Sequence, residues 1–485
     1  MPRGDAESLG NSATERGALS LDLVLSEIGL GFFHYRLLFV CGIGFSAAAI
    51  EVVLTAFLFA ELRHHWGLDE YELSVLPVIV STGCVLGEIF WGHLADRTGR
   101  RWVFMVTVLI VVVSGIASSL ATGIWSLCAI RFVVGFGYGG NIAVDFALFS
   151  EFQPTRGRGW MLFSMGAFWP VGQTLAVIIA WIVIPRFGWR TFLVVCALPS
   201  GITAFLRPLI PESPRWLLLN GREEEALEVC RSMARMNDIK PEDVGLTDGA
   251  KLTLANEVEQ LSSPQSSTPL SPRVNFPLMQ LFNKGLWRTT LGSVVFVAAL
   301  GFAGYATTTF MPSFLEMKGM ERLGVYQSMM LSTLSQFPGI LLAAFIGTRV
   351  GRLGPIYASM LLCGVALAFF AISNGHNWMI ASCCLASCCL EFGWALQHVY
   401  TPEVFPTELR AASAGFISAC GSIMTGGTPF ITAWLVETHS TASVICFFSS
   451  VCLVSSVVLY LLLDIETMSR DLQDVSRVQG EKGEK

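Results

Sequence analysis

Two carboxylates stand inside long apolar segments of this chain. Glu51 follows Ala47 to Ile50 in the first such segment, and Glu391 follows Cys388 to Leu390 in a later one. A carboxylate at the centre of a bilayer costs about 2.5–3.5 kcal/mol, so each must be paired, protonated or in contact with a water-filled cavity. Such groups carry protons or contact a solute cation. We predict one of these roles for each, and a structural hydrogen bond between helices is the alternative.

Other polar side chains fall in apolar segments. Arg131 could hold a carboxylate, because its guanidinium matches that geometry, or it could tie two helices together. The remaining candidate substrate contacts are Asn141, Gln173, Tyr305, Gln336 and Trp394. Residues of these types in apolar segments more often pack helices together or hydrogen-bond between them than contact a ligand.

The composition is that of a membrane protein. Of 485 residues, 53% are hydrophobic and 14% are charged, against about 25% charged in a soluble domain. The net charge of −6 argues against a nucleic-acid partner. All the cysteines except Cys230 lie in apolar segments, so we expect no disulfide framework. No nucleotide-binding loop or hydrolase motif occurs, and we predict no enzyme activity, cofactor or metal site.

The hydropathy pattern predicts an all-α membrane protein with twelve transmembrane helices, each of about 20 residues. The predicted spans are 37–60, 73–94, 102–121, 124–148, 160–184, 189–210, 287–314, 325–348, 354–373, 377–400, 412–435 and 441–463.

A repeated pattern divides the chain into halves. Glu, Pro, Thr and Arg at 151, 154, 155 and 158 recur 252 residues later at 403, 406, 407 and 410. This repeat predicts two six-helix pseudo-repeats around a central cavity, the usual build of a secondary transporter. The expected parts are an N-terminal tail (1–36), a first bundle (37–210), a loop with an amphipathic helix and the Ser/Pro-rich segment 262–272 (211–286), a second bundle (287–464) and a C-terminal tail (465–485).

Arginines in the short loops predict the orientation. Arg97, Arg100 and Arg101 share one side of the membrane with Arg349 and Arg352, whereas the opposite loops are acidic or uncharged. By the positive-inside rule, the arginine side and both termini are cytoplasmic.

Four motifs carry a resemblance to a known family. The segment from Gly92 to Arg101 resembles the signature loop of the major facilitator superfamily, and Arg131 to Gly137 is similar to its span-4 motif. The segment from Pro211 to Leu217 resembles the sugar-porter and organic-ion branches. Tyr400 to Arg410 is most similar to the organic-ion and synaptic-vesicle-related branch.

The resemblance implies a monomeric transporter that moves a small charged organic solute by alternating access, in a plasma or vesicle membrane. The solute would be a nicotinate-like carboxylate or an organic cation, and proton coupling is a hypothesis that rests on Glu51 and Glu391. A hexose facilitator and a non-transporting receptor or vesicle component are the alternatives. The resemblance also implies a cytoplasmic latch between the halves, formed by Asp96, Arg97, Arg101, Glu151, Arg158, Glu212, Arg215, Glu403 and Arg410.

Overall fold

Helices account for most of the described residues. The computed structural model describes residues 18–154, 157–247, 250–253, 281–283, 285–405 and 410–466. The segment 262–272 therefore lies outside the described residues. Spans 1 to 4 are Phe32–Trp66, Glu70–Thr98, Arg100–Ala117 and Ile124–Glu151. Spans 5 and 6 lie within Arg158–Gly166 and Phe168–Leu206, and the second of these turns at Gly188, where φ is +76°.

The second half repeats this arrangement. Span 7 is Trp287–Tyr305, continued through a π-helical turn (Ala306–Phe310) into Met311–Met317, and span 8 is Arg322–Leu334 followed by Gln336–Arg349. Spans 9 to 12 are Leu353–Ile372, His376–Val404, Arg410–Thr438 and Thr441–Leu462.

The membrane-spanning character of these helices follows from their length and composition. Ten stretches of the described residues are long and apolar enough to cross a bilayer, and one of them, Arg158–Leu209, contains both span 5 and span 6. Span 11 completes the set of twelve helices within the described ranges. The prediction of a twelve-helix membrane bundle is confirmed.

Glycines fix span 2 against span 4. Gly83 and Gly87 on span 2 face Gly135 and Gly139 on span 4, and a Cβ added at any of the four would overlap a backbone carbonyl of the opposite helix. Small residues at such spacing let two membrane helices approach closely. The side of span 2 that carries Ser81, Cys84 and Glu88 is thereby left to face other helices.

A small module outside the membrane joins the chain's beginning to the loop between the halves. Its strands β1 (Ala18–Ser20) and β2 (Lys251–Thr253) pair in parallel. Its helices are α1 (Leu21–Ile28), α2 (Pro214–Leu219) and α3 (Glu223–Met236).

The module corrects the expectation that residues before 37 form only a tail. Leu21, Val24, Leu25 and Ile28 recur at helical spacing, and burial of that face stabilises α1 against the loop. Asn237, just after α3, accepts a hydrogen bond from the Phe33 amide at 3.0 Å and so ties the module to the start of span 1.

The glycine contact gives a testable stability prediction. Gly139→Ala should destabilise the protein by about 1–3 kcal/mol, because the new Cβ meets the Cys84 carbonyl and the helices must separate. The matched control is Gly92→Ala, also within a helix, where no atom lies within 4 Å of the added Cβ. Thermal unfolding in detergent measures both variants, and equal unfolding temperatures would contradict the close packing of spans 2 and 4.

Candidate functional site at the interface between the halves

Glu51 and Arg131 form an ion pair inside the first half. The Nη1 atom of Arg131 lies 2.5 Å from Oε2 of Glu51, and the two residues are only 2% and 5% exposed. Within the described residues, Nε and Nη2 of Arg131 have no hydrogen-bond partner. Because each charge compensates the other, removing one partner would leave an uncompensated buried charge.

The neighbours of this pair are all helices of the first half. A Cβ at Gly115, on span 3, would lie 3.8 Å from Oε1 of Glu51, and Cys196, on span 6, is within electrostatic range of both charges. Glu51 thus points into the first bundle rather than toward the second. Asn141 is engaged in the same bundle, since its Oδ1 accepts a 2.6 Å hydrogen bond from Thr107.

Two hydrogen bonds join spans 5 and 8 across the interface between the halves. The buried amide of Gln336 donates to Oε1 of Gln173 at 2.6 Å, and Thr174 donates to Thr333 at 3.0 Å. The predicted residues Gln173 and Gln336 therefore meet each other, and both lie on the interface.

A second cross-interface contact involves an acid that the sequence analysis missed. Ser422 on span 11 donates to both carboxylate oxygens of Glu88 on span 2, at 3.2 and 3.3 Å. Glu88 lies inside the predicted span 73–94, between Gly87 and Ile89, so a search for charges within apolar segments could have found it.

One face of span 10 carries Glu391, Trp394 and His398. Glu391 is half-buried and has no ion-pair or hydrogen-bond partner among the described residues. Trp394 approaches span 7, where its Nε1 would lie 3.7 Å from a Cβ at Gly304, next to Tyr305. His398 stacks on Phe146 of span 4, with ring centroids 5.3 Å apart. This face therefore borders the interface between the halves.

The halves also meet at the acidic end, opposite the arginine-rich loops. Arg322 on span 8 lies 3.2 Å from Glu61 on span 1, and the Phe57 and Tyr326 rings stack at 5.5 Å. These contacts close that end of the interface, and they too were absent from the sequence analysis.

At the arginine-rich end, a three-residue arrangement holds the loop between spans 2 and 3. Arg100 lies 2.7 Å from Glu151 at the end of span 4. Glu212 accepts the backbone N–H groups of Arg100 and Arg101, both at 3.0 Å, at the start of span 3. A carboxylate is stabilised there by the unpaired amides of the helix N-terminus.

The second half repeats this arrangement. Arg352 lies 3.1 Å from Glu403, and Glu466 accepts the backbone N–H groups of Arg352 and Leu353 at 2.8 and 3.1 Å. Arg352 and Glu403 each follow their first-half counterparts by 252 residues. The second signature loop lacks an acid at the position of Asp96, yet its ion pair is intact.

The remaining latch candidates lie around this arrangement. Arg215 pairs with Asp22 of α1 at 2.6 Å, and Arg101 donates to the Pro208 carbonyl at 3.2 Å. Asp96 lies 3.6 Å from Arg100, with its side chain 71% exposed. Exposed side chains are also found at Arg97 and Arg158.

At the arginine-rich end, the Arg100–Glu151 and Arg352–Glu403 ion pairs each join residues of the same half, whereas the predicted latch requires pairs between the halves. The side chain of Arg410 lies outside the described atoms.

Comparisons with known proteins identify the family. The model of the family described as "Sugar (and other) transporter" matches residues 34–478. The chain belongs to this family of the major facilitator superfamily. The prediction of a multi-pass transporter of this superfamily is confirmed.

Similar proteins include several transporters. The chain is 28% identical to the niacin transporter NiaP of Acinetobacter baylyi, over 94% of this chain and 100% of that protein. It is 28% identical to organic cation/carnitine transporter 7 of Arabidopsis thaliana, with coverage of 94% and 96%. It is 29% identical to the synaptic vesicle 2-related protein of Xenopus laevis, with coverage of 93% and 82%.

The fold matches a solved transporter. The inward-open xylose transporter XylE from E. coli superposes with a TM-score of 0.72 at 15% identity, over 92% of this chain and 99% of XylE. At this identity the likeness establishes the fold alone.

A double-mutant cycle tests whether the loop ion pairs act within each half. Arg100→Ala and Glu151→Ala should show a coupling energy of about 1–3 kcal/mol in unfolding measurements, because each is the other's partner. The control cycle combines Glu151→Ala with Arg352→Ala, which lie in different halves and should be additive. Coupling only in the control cycle would support the predicted latch instead.

Proposed function

We propose that this protein is a secondary active transporter for a small charged organic solute, which binds between the two six-helix halves. The supporting observation is the set of partly exposed groups at mid-membrane depth on the interface: the carboxylate of Glu391, the indole of Trp394 and the phenol of Tyr305. An acid beside aromatic faces can orient a charged ring. Niacin and organic cations, named for the relatives, belong to this class of solute.

Tyr305 occupies a position suited to movement. It immediately precedes the π-helical turn of span 7, and such turns are frequent at functional sites. Rocking of the halves would separate contacts at the acidic end and at the arginine-rich end alternately. The Glu61–Arg322 ion pair is one of the contacts at the acidic end. The stacked rings of Phe146 and His398 belong to the contacts at the arginine-rich end.

Proton coupling is assigned to Glu51 and Arg131. The pair joins span 1 to span 4, so a change in its charge would change the packing of these two helices. The pair is sealed in the first half, which favours coupling through helix packing over direct contact with the solute. We further propose that the arginine-rich end is cytoplasmic and that the transporter is monomeric.

A hexose facilitator is the second candidate. The family description favours it. Against it, the buried amides of Gln173 and Gln336 hydrogen-bond each other, which leaves fewer amide donors for sugar hydroxyls. A non-transporting vesicle component is the third, because a synaptic vesicle 2-related protein is among the relatives.

Uptake into proteoliposomes tests this proposal. Labelled nicotinate, organic cations and glucose are supplied with and without a pH gradient. We expect an organic ion to accumulate in response to the pH gradient. Glu51→Gln should abolish this accumulation, while exchange of labelled for unlabelled solute without a pH gradient persists. The control is Glu224→Gln, an exposed acid of α3.

The outcomes separate the candidates. Accumulation that ignores the pH gradient contradicts proton coupling. Flux of glucose alone favours the facilitator, and no flux of any solute rejects transport. Because Glu51→Gln leaves Arg131 uncompensated, at a cost of about 3–5 kcal/mol, its folding is checked first and Glu51→Asp serves as the conservative variant.

A further inference from the structure

The charged side chains of the membrane-spanning region differ in whether a solute between the halves could contact them. Arg131 of span 4 is 2% exposed and paired, and Arg207, just after the end of span 6, is fully buried against the Phe104 ring at 3.9 Å. The carboxylates of Glu88 and Glu391 are half-buried and lie on the interface between the halves. The titratable groups offered to a solute there are therefore acids.

Among the residues that the structure describes, Glu88 has no compensating cation. Its described partners are the neutral hydroxyl of Ser422 and the thiol of Cys84, the latter at 3.6 Å. No arginine, lysine or histidine of the described ranges lies within ion-pair distance of it. An unpaired carboxylate at this depth costs about 2.5–3.5 kcal/mol, so a bound positive charge would be favoured.

Aromatic rings lie beside this acid. Ser81, Cys84 and Glu88 share one face of span 2, which the glycine contact with span 4 turns toward the second half. Tyr138 on span 4 is within electrostatic range of Glu88 and of Tyr305 on span 7. Ring faces attract cations, by about 0.5–2 kcal/mol each, and repel anions.

We propose that Glu88 is a specificity-determining residue that gives the transporter a preference for small organic cations over carboxylates. This inference rests on the proposed transport function and narrows its substrate class. Ser422 positions the carboxylate from the opposite half, so that the acid is held at the interface by a contact that both halves share. Arg131 cannot bind a substrate carboxylate in this arrangement, because it is paired with Glu51 and buried in the first bundle.

Three solutes that share one ring but differ in charge test the preference: nicotinate, nicotinamide and 1-methylnicotinamide, which are an anion, a neutral molecule and a cation. Binding to the purified protein is read from the shift in unfolding temperature, and uptake is measured in proteoliposomes. We expect the cation to bind most tightly. Glu88→Gln should weaken its binding about tenfold or more through loss of a charged contact, while any binding of the neutral ring is unchanged.

Two further variants keep the test decisive. Glu88→Asp retains the charge and should retain the cation preference if Glu88→Gln folds poorly. Ser422→Ala removes only the positioning hydroxyl, and its effect on cation binding should be smaller than that of Glu88→Gln.

Each outcome decides between the two claims. Tightest binding by nicotinate, no binding by the cation, or cation binding unaffected in Glu88→Gln overturns the preference and leaves transport intact. Absence of flux for every solute in the wider panel overturns transport, whereas the charge preference is still read from binding.

Discussion

The structure depends on one constraint: charged side chains inside the hydrocarbon of the bilayer must be electrically compensated. A bilayer offers neither water nor counter-ions, so every ionised side chain within it must find a partner or reach a cavity. In the first half, Glu51 and Arg131 compensate each other inside the bundle, where they lie 2.5 Å apart among spans 1, 3, 4 and 6. Glu88 and Glu391 are not neutralised in this way, and both lie where the halves meet. The carboxylates of Glu88 and Glu391 therefore lie on the surface that a solute would cross.

The duplicated architecture is visible at the level of individual contacts. An arginine–glutamate pair and a glutamate that caps the start of the next helix occur in each half, with Arg100 and Arg352 at equivalent positions. These contacts hold each arginine-rich loop to its own bundle. Rigid loops of this kind let six helices move as one body, which rocking of the halves requires. Across the interface, by contrast, the mid-membrane contacts are single hydrogen bonds rather than ion pairs. The bond between Gln173 and Gln336 is worth about 0.5–1.5 kcal/mol, and the bond from Ser422 to the Glu88 carboxylate about 1.5–3 kcal/mol.

The sequence predicted the twelve helices because about 20 apolar residues can satisfy their backbone groups in lipid only as a helix. It also found Glu51, Arg131 and Glu391, because charges in apolar runs are conspicuous. It could not predict which charges would meet: the pairing of Glu51 with Arg131 depends on the rotation of spans 1 and 4, and hydropathy does not report rotation. Residue Glu88 was overlooked, although its position in a predicted span was as unusual as that of Glu391. The sequence predicted an amphipathic helix in this loop, where α3 lies, but not its packing with α1, because the two helices are far apart in the sequence.

Carboxyl labelling tests the central claim most directly, without any substitution. The protein in proteoliposomes is treated with the apolar reagent dicyclohexylcarbodiimide, and modified carboxyl groups are located by peptide mass spectrometry. The account predicts that Glu88 and Glu391 react, because they are half-buried and lack a cationic partner, and that Glu51 does not, because it is sealed and paired with Arg131. Labelling of Glu51 with Glu88 and Glu391 unmodified would contradict it, since the accessible charge would then lie inside the first half rather than between the halves.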